Sequence, residues 1–390
     1  MNDVRRGADA ALDALRGGRP VIVVDDRDSE GELVLAAEHA SDASVAFLVR
    51  HTSGYLCVAA PEERWEQLGV PRMPGDHQHG AAYGVAVDAS EGVTTGISAR
   101  ERARTIRLIA APDTQPADLI RPGHVVTERA RPGGLLERGG HAEATVDLMR
   151  LAGLYPVGVR GHVVRDDGFT ANAAELRDFA LAHDLMLMTI DELVAYRWRH
   201  SPTVTRAASA RMPTRHGEFT VHGYRDEVDG GEHLALVFGQ PEQQAAPLVR
   251  VHRECVTGEV LGSRTCDCGQ HLDLALAQVA AAGAGVVVYL RGTGLIDQLR
   301  AQARQDVGDY DTATAALRLV DAGEYCAAAH IVRDLGIDTV RLLTSNPAKV
   351  ACLEQCGVTV LERLELVVGQ CAANAFSTTS GQLGHLPAVS

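Results

Sequence analysis

Apolar residues in the first half of the chain fall into short helix-like and strand-like runs separated by turn residues. Residues 8–15 place Ala and Leu at helical spacing before a Gly-Gly pair, which predicts a helix that ends there. The run Val21–Val24 contains four consecutive β-branched residues between turn signals and predicts a buried strand. An acidic loop follows at 25–32, and helices and strands then alternate as far as Leu193, which is typical of an α/β domain.

The pattern changes between about His200 and Arg215, where no apolar periodicity is sustained. We interpret this stretch as the linker between a first domain, residues 1–203, and a second domain, residues 204–390. The second domain again mixes strand-like runs with an Ala/Leu-rich helix, so the fold class is α/β (or α+β) in both domains. The predicted elements are strands at Leu234–Phe238, Leu248–Val251, Val286–Leu290 and Val340–Leu343 and helices at Gln270–Ala282 and Asn346–Gln355.

Length and composition agree with two globular domains. A chain of 390 residues exceeds what one hydrophobic core usually contains, and its hydrophobic fraction of 46% is ordinary. The formal net charge of −14 argues against a protein that coats nucleic acid or anionic membrane. No apolar run reaches the length of a membrane span, and the N-terminal residues lack the apolar core of a secretion signal. We therefore expect a cytoplasmic protein without nucleic-acid or membrane partners.

The cysteines are concentrated in the second domain. Of eight cysteines, Cys57 stands alone in the first half and the rest lie beyond residue 250. Cys255, Cys266 and Cys268 form a C-x10-C-x-C pattern whose thiolates could hold Zn²⁺ and leave a fourth position for water, which such a metal acidifies. The alternative is three buried thiols, since nothing in the spacing alone requires a metal.

Four further cysteines carry no predicted chemistry. Cys352 and Cys356 are four residues apart on a predicted helix, which places them on one face. We interpret them as small buried hydrophobic residues rather than a second metal site. Cys326 and Cys371 are assigned no role.

The three candidate metal cysteines belong to a longer set of motifs. Arg-Val-His-Arg-Glu-Cys occupies 250–255, Gly-Ser-Arg-Thr-Cys-Asp-Cys-Gly occupies 262–269, and Thr-Ser-Asn-Pro-Ala-Lys occupies 344–349. With these motifs the chain resembles GTP cyclohydrolase II from about residue 211 to residue 386. The resemblance implies zinc on Cys255, Cys266 and Cys268, opening of the guanine ring, and release of formate and pyrophosphate. It implies nucleotide contacts at Arg250, His252, Glu254, Gln270, Thr312, Thr344 and Lys349.

The second domain departs from this family at two loops. After Arg291 and Gly292 the family carries a Glu-Gly-Arg segment that contacts the nucleotide, whereas this chain continues directly to Thr293. The family pattern Asp-x-Arg supplies a proton acceptor and an arginine that attacks the α-phosphate. Here Asp321 keeps the acid, but Gly323 stands in place of the arginine and offers neither charge nor nucleophile. We therefore do not expect the usual GTP ring opening.

Motifs of the first domain resemble 3,4-dihydroxy-2-butanone 4-phosphate synthase between about Asp9 and His200. They are the Asp25-Asp26 loop, Arg-His-Thr-Ser-Gly at 50–54, Gly-Val-Thr-Thr-Gly-Ile-Ser at 92–98, Arg-Pro-Gly-His at 121–124 and Arg-Gly-Gly-His-Ala-Glu-Ala at 138–144. In that family Mg²⁺ (or Mn²⁺), held by a glutamate and a histidine, grips ribulose 5-phosphate, which rearranges and loses formate. The order of the two domains is that of bifunctional riboflavin-pathway enzymes.

The resemblance assigns roles to residues of the first domain. His141 matches the metal histidine. The acidic loop is shorter than the family's, so the metal carboxylate is Asp28, the nearest equivalent, or alternatively Glu30. The implied substrate contacts are Arg27, Asp28, Cys57, His124, Arg138, Gly139, Gly140 and Ala142.

The catalytic groups of the first domain are altered. Glu32 stands where the family has an aspartate that contacts substrate, and Ala142 occupies a threonine position. His162 takes the place of the family's second catalytic glutamate, which changes both the charge and the working pKa of that group. The catalytic candidates are Glu32, His141 and His162 here and Asp321 in the second domain.

Three hypotheses about function remain. The chain is a working bifunctional enzyme, a repurposed enzyme that acts on a related sugar phosphate or guanine nucleotide, or a non-catalytic paralogue that binds nucleotide or a partner enzyme. We favour the repurposed enzyme, because the zinc cysteines, His141, Asp321 and Lys349 all remain. A homodimer is expected from the resemblance.

Overall fold

The computed structural model describes residues 7–27, 30–74, 82–228, 230–292, 294–296, 299–300 and 325–366. They form two compact units, the first extending to Pro202 and the second beginning at Thr203. Each unit contains a mixed sheet of seven described strands with helices against it, which confirms the two-domain α/β prediction. Within these ranges no helix combines the length and apolar character needed to cross a membrane. The residues discussed above that lie outside the described ranges are Asp28, Thr293, Thr312, Asp321, Gly323 and Cys371.

The first unit interleaves helices and strands along the chain. Its described helices are α1 (Ala8–Arg16), α2 (Asp42–His51), α3 (Glu62–Gln67), α4 (Ala99–Ala110), α5 (His141–Ala152), α6 (Ala173–Ala182) and α7 (Ile190–His200). Its described strands are β1 (Val21–Val24), β2 (Gly31–Ala36), β3 (Cys57–Pro61), β4 (Ala82–Ala89), β5 (Leu119–Ala130), β6 (Gly158–His162) and β7 (Met186–Thr189). The strand order in the sheet is β4-β5-β3-β6-β2-β1-β7.

The centre of this sheet is buried on both faces. Every residue of β1 and β2 is buried, as the β-branched runs predict, and hydrophobic clusters cover both sides. One cluster joins Val34 of β2 to Ala144 and Leu148 of α5. Because alternate residues of a strand share a face, Glu32 lies on the same face as Val34, the one against which α5 packs. The N-terminus of α5, at His141, therefore adjoins Glu32.

The second unit has the same mixture of elements. Its described strands are β8 (Val204–Thr214), β9 (Gly217–Asp226), β10 (Glu232–Phe238), β11 (Leu248–Arg253), β12 (Gly285–Leu290), β13 (Thr339–Leu343) and β14 (Thr359–Leu364), in the sheet order β14-β13-β11-β12-β10-β9-β8. Its described helices are α8 (Val256–Glu259), α9 (Cys268–Ala281) and α10 (Pro347–Gln355), and residues 325–334 are also helical.

The interpretation of 200–215 as a linker is wrong. His200 ends α7, and Val204–Thr214 forms β8, which pairs antiparallel with β9 along its whole length. This strand lies at the end of the sheet order and most of its side chains are exposed on both faces, so it lacks the alternation of a half-buried strand. Backbone hydrogen bonds to β9 hold it in place, and Met212 is its contact with the hydrophobic cluster of this unit.

The parallel part of the second sheet gathers loops at one edge. Strands β12, β11, β13 and β14 run parallel, so their carboxyl ends meet at the same side of the sheet. Cys255 follows β11, Arg291 follows β12 and Thr344 follows β13 at this edge. Loops after the carboxyl ends of parallel strands are where α/β folds commonly place ligands.

Candidate active sites

Glu32 is the centre of a buried charged cluster in the first unit. Its side chain is fully buried, and Oε1 accepts hydrogen bonds from Arg160 and from His162 Nε2, the latter at 2.9 Å. The other oxygen, Oε2, has no hydrogen-bond partner within the described part of the chain and lies 3.9 Å from His141 Nδ1. That imidazole nitrogen also lacks a hydrogen bond to any described residue. His141 and His162, two catalytic candidates predicted from the sequence, thus both lie beside the third candidate, Glu32.

The three groups have different protonation tendencies. Burial alone would raise the pKa of Glu32, but the Arg160 guanidinium and the two imidazoles lower it, so the carboxylate stays ionised. The hydrogen bond to Glu32 raises the pKa of His162. Burial lowers the pKa of His141, which favours its neutral form. A carboxylate, a readily charged imidazole and a neutral imidazole at this spacing are equipped for proton transfer.

Sequence reasoning missed Arg160 and Glu128. Arg160 lies on β6 and donates from Nη1 to Glu32 and from Nε to Glu128 Oε2 on β5, the last over 3.1 Å. All three side chains are buried. A charged residue in a short strand flanked by glycines, Gly158-Val-Arg-Gly-His162, was the signal that could have indicated it.

Arg27 joins the acidic loop to the segment before α5. Its Nε donates to Asp25 Oδ1 at 2.9 Å and its Nη2 donates to the carbonyl oxygen of Gly139. Asp25 is buried, and the hydrogen bond from Arg27 lowers its pKa. The structure therefore brings together Arg27 and Gly139, which the resemblance assigned to one pocket. The predicted metal carboxylate is Asp28, which lies outside the described ranges, or Glu30. Glu30 Oε2 lies 3.7 Å from His162 Nδ1.

Arg138 is held by a buried carboxylate at the start of α5. Its Nη1 lies 3.2 Å from both carboxylate oxygens of Glu143, whose Oε1 also accepts the backbone N–H of Arg131. Burial raises the pKa of Glu143. A Cβ on Gly140 would lie 2.6 Å from Glu143 Oε2, so this arrangement requires a glycine. The next predicted contact, Ala142, is itself buried.

His124 and Cys57 occupy strands β5 and β3. His124 Nδ1 lies 2.7 Å from Oδ2 of the buried Asp88, and the His124 backbone N–H donates to Oδ1 at 3.0 Å. Cys57 is buried, and burial raises the pKa of its thiol to about 12. In the strand register Cys57 stands opposite Arg160. The Cys57 thiol is therefore a neutral neighbour of the charged cluster and not a nucleophile.

Cys255, Cys266 and Cys268 come together in the second unit. Their sulfur atoms all lie within 4.8 Å of one another, and the Sγ atoms of Cys255 and Cys266 are 3.7 Å apart. Gly258 lies directly beside them, because a Cβ there would approach Cys266 Sγ to 2.5 Å. Three converging thiols are a donor set that zinc prefers, so these residues fit the metal that the spacing predicts.

Glu259 supports this cluster and was not predicted. Its Oε1 accepts the backbone N–H of Cys255 at 2.8 Å and lies 2.9 Å from His252 Nε2, and its Oε2 accepts the Tyr289 hydroxyl at 2.6 Å. Burial would raise the pKa of Glu259, but the hydrogen bonds from His252 and Tyr289 lower it. The position four residues after Cys255 was a signal available in the sequence.

Two basic residues predicted to contact the nucleotide, Arg250 and Lys349, lie near the carboxyl edge of the parallel strands. Arg250 Nη1 donates to the carbonyl oxygen of Leu343 at 2.7 Å, and Lys349 Nζ donates to that of Val251 at 3.0 Å. Lys349 also lies 5.1 Å from the centre of the Tyr325 ring. Three further candidates are Thr344, buried after β13, Glu254, 3.8 Å from Arg291 Nε, and Gln270, exposed in the first turn of α9.

Comparisons with known proteins agree with both sets of motifs. The family model of 3,4-dihydroxy-2-butanone 4-phosphate synthase matches residues 9–196, and that of GTP cyclohydrolase II matches residues 205–365. Riboflavin biosynthesis protein RibBA of Salinispora arenicola is 51% identical over 390 residues, covering 96% of this chain and 93% of that protein. The chain belongs to the bifunctional riboflavin biosynthesis protein family.

Other members of the riboflavin biosynthesis protein family are similar along the same length. RibBA of Nocardia farcinica is 48% identical over 391 residues, covering 96% of this chain and 94% of that protein. A solved structure from A. baumannii, described as RibBX, a two domain 3,4-dihydroxy-2-butanone 4-phosphate synthase, matches with a TM-score of 0.68 at 32% identity. It covers 93% of this chain and 99% of that chain. The family combines a lyase with a hydrolase, in the order predicted here.

Proposed function

We propose that the first unit is a formate-releasing lyase for a sugar phosphate of the ribulose 5-phosphate type, and that it uses an altered set of proton-transfer groups. The observation that carries this proposal is the buried Glu32 carboxylate, which contacts His162 through one oxygen and directs the other toward His141. His162 takes the role that a carboxylate has in the family. The site is therefore a variant of the family's site and not a copy of it.

The rearrangement of a ketose phosphate begins with loss of a proton from the carbon beside its carbonyl group. Glu32 Oε2 accepts this proton in our proposal, since it is the carboxylate oxygen that has no hydrogen-bond donor among the described side chains. His162, whose pKa is raised by its hydrogen bond to Glu32, returns a proton to the developing enolate. Glu32 itself is fully buried, which keeps bulk water away from its carboxylate.

Binding of an anionic sugar phosphate has to overcome the chain's net charge of −14. Arg27, which is 69% exposed and donates to the Gly139 carbonyl oxygen, and Arg138 lie beside the start of α5, and guanidinium groups suit phosphate. Mg²⁺ or Mn²⁺ would be held by His141 together with Asp28 or Glu30. When bound, it polarises the substrate's carbonyl and hydroxyl oxygens.

The second unit, in the same proposal, holds zinc on Cys255, Cys266 and Cys268 and binds a guanine nucleotide without the usual ring opening. Arg250 and Lys349 bind its phosphates, because a triphosphate needs several cationic partners. The proposal excludes ordinary turnover because Gly323 replaces the attacking arginine and the Glu-Gly-Arg segment is missing. The domains are residues 1–203 and 204–390, and a homodimer is the proposed assembly.

Formate measurement separates the two units. Purified protein is incubated with ribulose 5-phosphate and Mg²⁺, and separately with GTP and Zn²⁺, and formate is followed by mass spectrometry. We expect formate from the sugar phosphate only, with loss of turnover in His162→Gln and retention in His200→Gln, at the exposed end of α7. Formate from GTP at an ordinary enzymatic rate contradicts the proposal for the second unit. No formate from either substrate favours a non-catalytic paralogue instead.

A further inference from the structure

Arg160 is a buried cation that has no assigned role in this reaction. Its side chain is only 7% exposed, and it is held between two carboxylates that are 0% and 2% exposed. An unpaired buried charge is costly, so a guanidinium in this position requires both the hydrogen bonds and the countercharge that Glu32 and Glu128 supply.

The guanidinium group spans the centre of the sheet. Glu32 lies on β2, Arg160 on β6 and Glu128 on β5, in the order β5-β3-β6-β2. Two different edges of the planar group face the two carboxylates: Nη1 donates to Glu32, while Nε and Nη2 donate to Glu128. Because the fork is rigid, fixing one edge on Glu128 also fixes where Nη1 points.

The contact with Glu32 is restricted to one oxygen. Arg160 and His162 both donate to Oε1, which leaves Oε2 without a partner among the described residues and close to His141. An arginine that used both of its Nη atoms on Glu32 would occupy both carboxylate oxygens, as guanidinium–carboxylate pairs often do. Glu128 prevents this arrangement by engaging Nη2 and Nε.

We propose that Arg160 and Glu128 are positioning residues: Arg160 orients the Glu32 carboxylate so that Oε2 is available for proton transfer, and Glu128 holds Arg160 in a one-oxygen contact. This inference rests on the proposed function of the first unit. Neither residue contacts the substrate. Removing Arg160 releases the carboxylate, whereas removing the charge of Glu128 allows Arg160 to cover the reactive oxygen.

The test compares Arg160→Met, Arg160→Lys and Glu128→Gln with a matched control, Arg197→Met. Arg197 also pairs with a buried carboxylate of the first unit, Asp147, at 2.7 Å, but belongs to none of the proposed catalytic contacts. We expect Arg160→Met and Glu128→Gln to lower kcat for formate release by about 100-fold, since small misplacements of a reacting group have effects of this size. KM for ribulose 5-phosphate stays within threefold, and Arg160→Lys recovers part of kcat.

A second readout does not depend on turnover. In protein labelled with ¹⁵N-histidine, the hydrogen-bonded Nε2–H of His162, assigned by its loss in His162→Gln, reports the position and charge of Glu32. We expect this signal to shift or disappear in Arg160→Met and Glu128→Gln and to remain unchanged in Arg197→Met.

The outcomes distinguish the inference from the function on which it rests. If Arg160→Met only lowers Tm, as Arg197→Met does, and leaves both kcat and the His162 signal unchanged, Arg160 is structural and the inference is overturned. If the wild type releases no formate, the proposed function fails. The His162 signal then decides alone whether Arg160 and Glu128 position Glu32: unchanged in both variants, it overturns the inference as well.

Discussion

His162 Nε2 lies 2.9 Å from Glu32 Oε1, and the two residues are direct register partners on adjacent antiparallel strands. An imidazole opposite the buried Glu32 carboxylate can carry a compensating positive charge. A second carboxylate in the same place would instead add a negative charge, which is unfavourable. His162 and the buried Arg160 therefore belong to one electrostatic arrangement around Glu32, in which one additional negative charge is unfavourable.

This arrangement predicts that His162→Glu is destabilising, even though the resemblance implies a glutamate at this position in the family. Two carboxylates would face each other across β2 and β6, which costs about 1 kcal/mol relative to His162→Gln. Both tryptophans, Trp65 and Trp198, lie in the first unit, so tryptophan fluorescence during urea unfolding measures its stability. Equal stability of the two variants at pH 7.5 would show that Glu32 does not repel a carboxylate at this position.

A cluster of rings between α2 and α6 predicts a loss of stability in acid. The ring of His51 lies 4.5 Å from that of Phe47, 5.2 Å from Phe179 and 4.8 Å from His183. Burial lowers the pKa of His51, and the charges of His183 and Arg50 lower it further, against an opposing effect of Asp166.

The lowered pKa of His51 determines how stability changes with pH. The unfolded chain takes up a proton at His51 near pH 6.5, above the native pKa, so stability falls as the pH drops through and below that value. We expect urea unfolding of His51→Gln, followed by tryptophan fluorescence, to vary less between pH 7 and pH 5 than that of the wild type. His200→Gln is the control and keeps the wild-type slope. A slope in His51→Gln that equals or exceeds the wild-type slope would contradict the prediction.

Gly258 offers a test of the zinc site that leaves all three thiols intact. A Cβ at this position would lie 2.5 Å from Cys266 Sγ and 3.4 Å from Cys255 Sγ, so Gly258→Ala displaces the sulfur atoms. We expect its zinc content, measured by plasma mass spectrometry after dialysis, to fall below about half an equivalent, as in Cys266→Ala. In Gly223→Ala the new Cβ meets its nearest neighbour only at 3.8 Å, and full zinc is expected. Full zinc content in both Gly258→Ala and Cys266→Ala would contradict a zinc site at these cysteines.

Gly123 is required by the close approach of strands β4 and β5. A Cβ there would lie 2.0 Å from the backbone carbon of Val87 and 2.3 Å from the nitrogen of Asp88, the residue that holds His124. We expect Gly123→Ala to lower the free energy of unfolding of the first unit by about 3 kcal/mol or more. Gly17→Ala, with its nearest contact at 3.4 Å and φ of −79°, should change it by less than about 0.5 kcal/mol. A small effect of Gly123→Ala on the free energy of unfolding would show that β4 and β5 can move apart at little cost.

The sequence predicts best those elements whose amino-acid composition indicates that they are buried. Val21–Val24 and Gly285–Leu290 are buried strands, and their β-branched residues indicate this directly. Val204–Thr214 is not recognised as a strand, because backbone hydrogen bonds to β9 hold it while most of its side chains are exposed. An exposed edge strand and a linker have similar side-chain patterns.

The candidate sites show the same division between local and long-range information. Cys255, Cys266 and Cys268 are close in sequence, and their spacing predicts the cluster that the structure contains. Glu32 and Arg160 are 128 positions apart, and their contact depends on β6 lying beside β2 in the sheet. Residue spacing does not contain that strand order, so the sequence could mark Arg160 as an unusual charged strand residue but not predict its contacts with Glu32 and Glu128.

Formate release from ribulose 5-phosphate by Glu32→Gln tests directly whether Glu32 accepts the substrate proton. The substitution keeps the shape of the side chain but removes the carboxylate that we propose as the proton acceptor. We predict that kcat falls by about 1,000-fold, within the range expected for loss of a general base, while tryptophan fluorescence confirms that the first unit is folded. A folded Glu32→Gln protein with kcat within threefold of the wild type would show that Glu32 is not the proton acceptor.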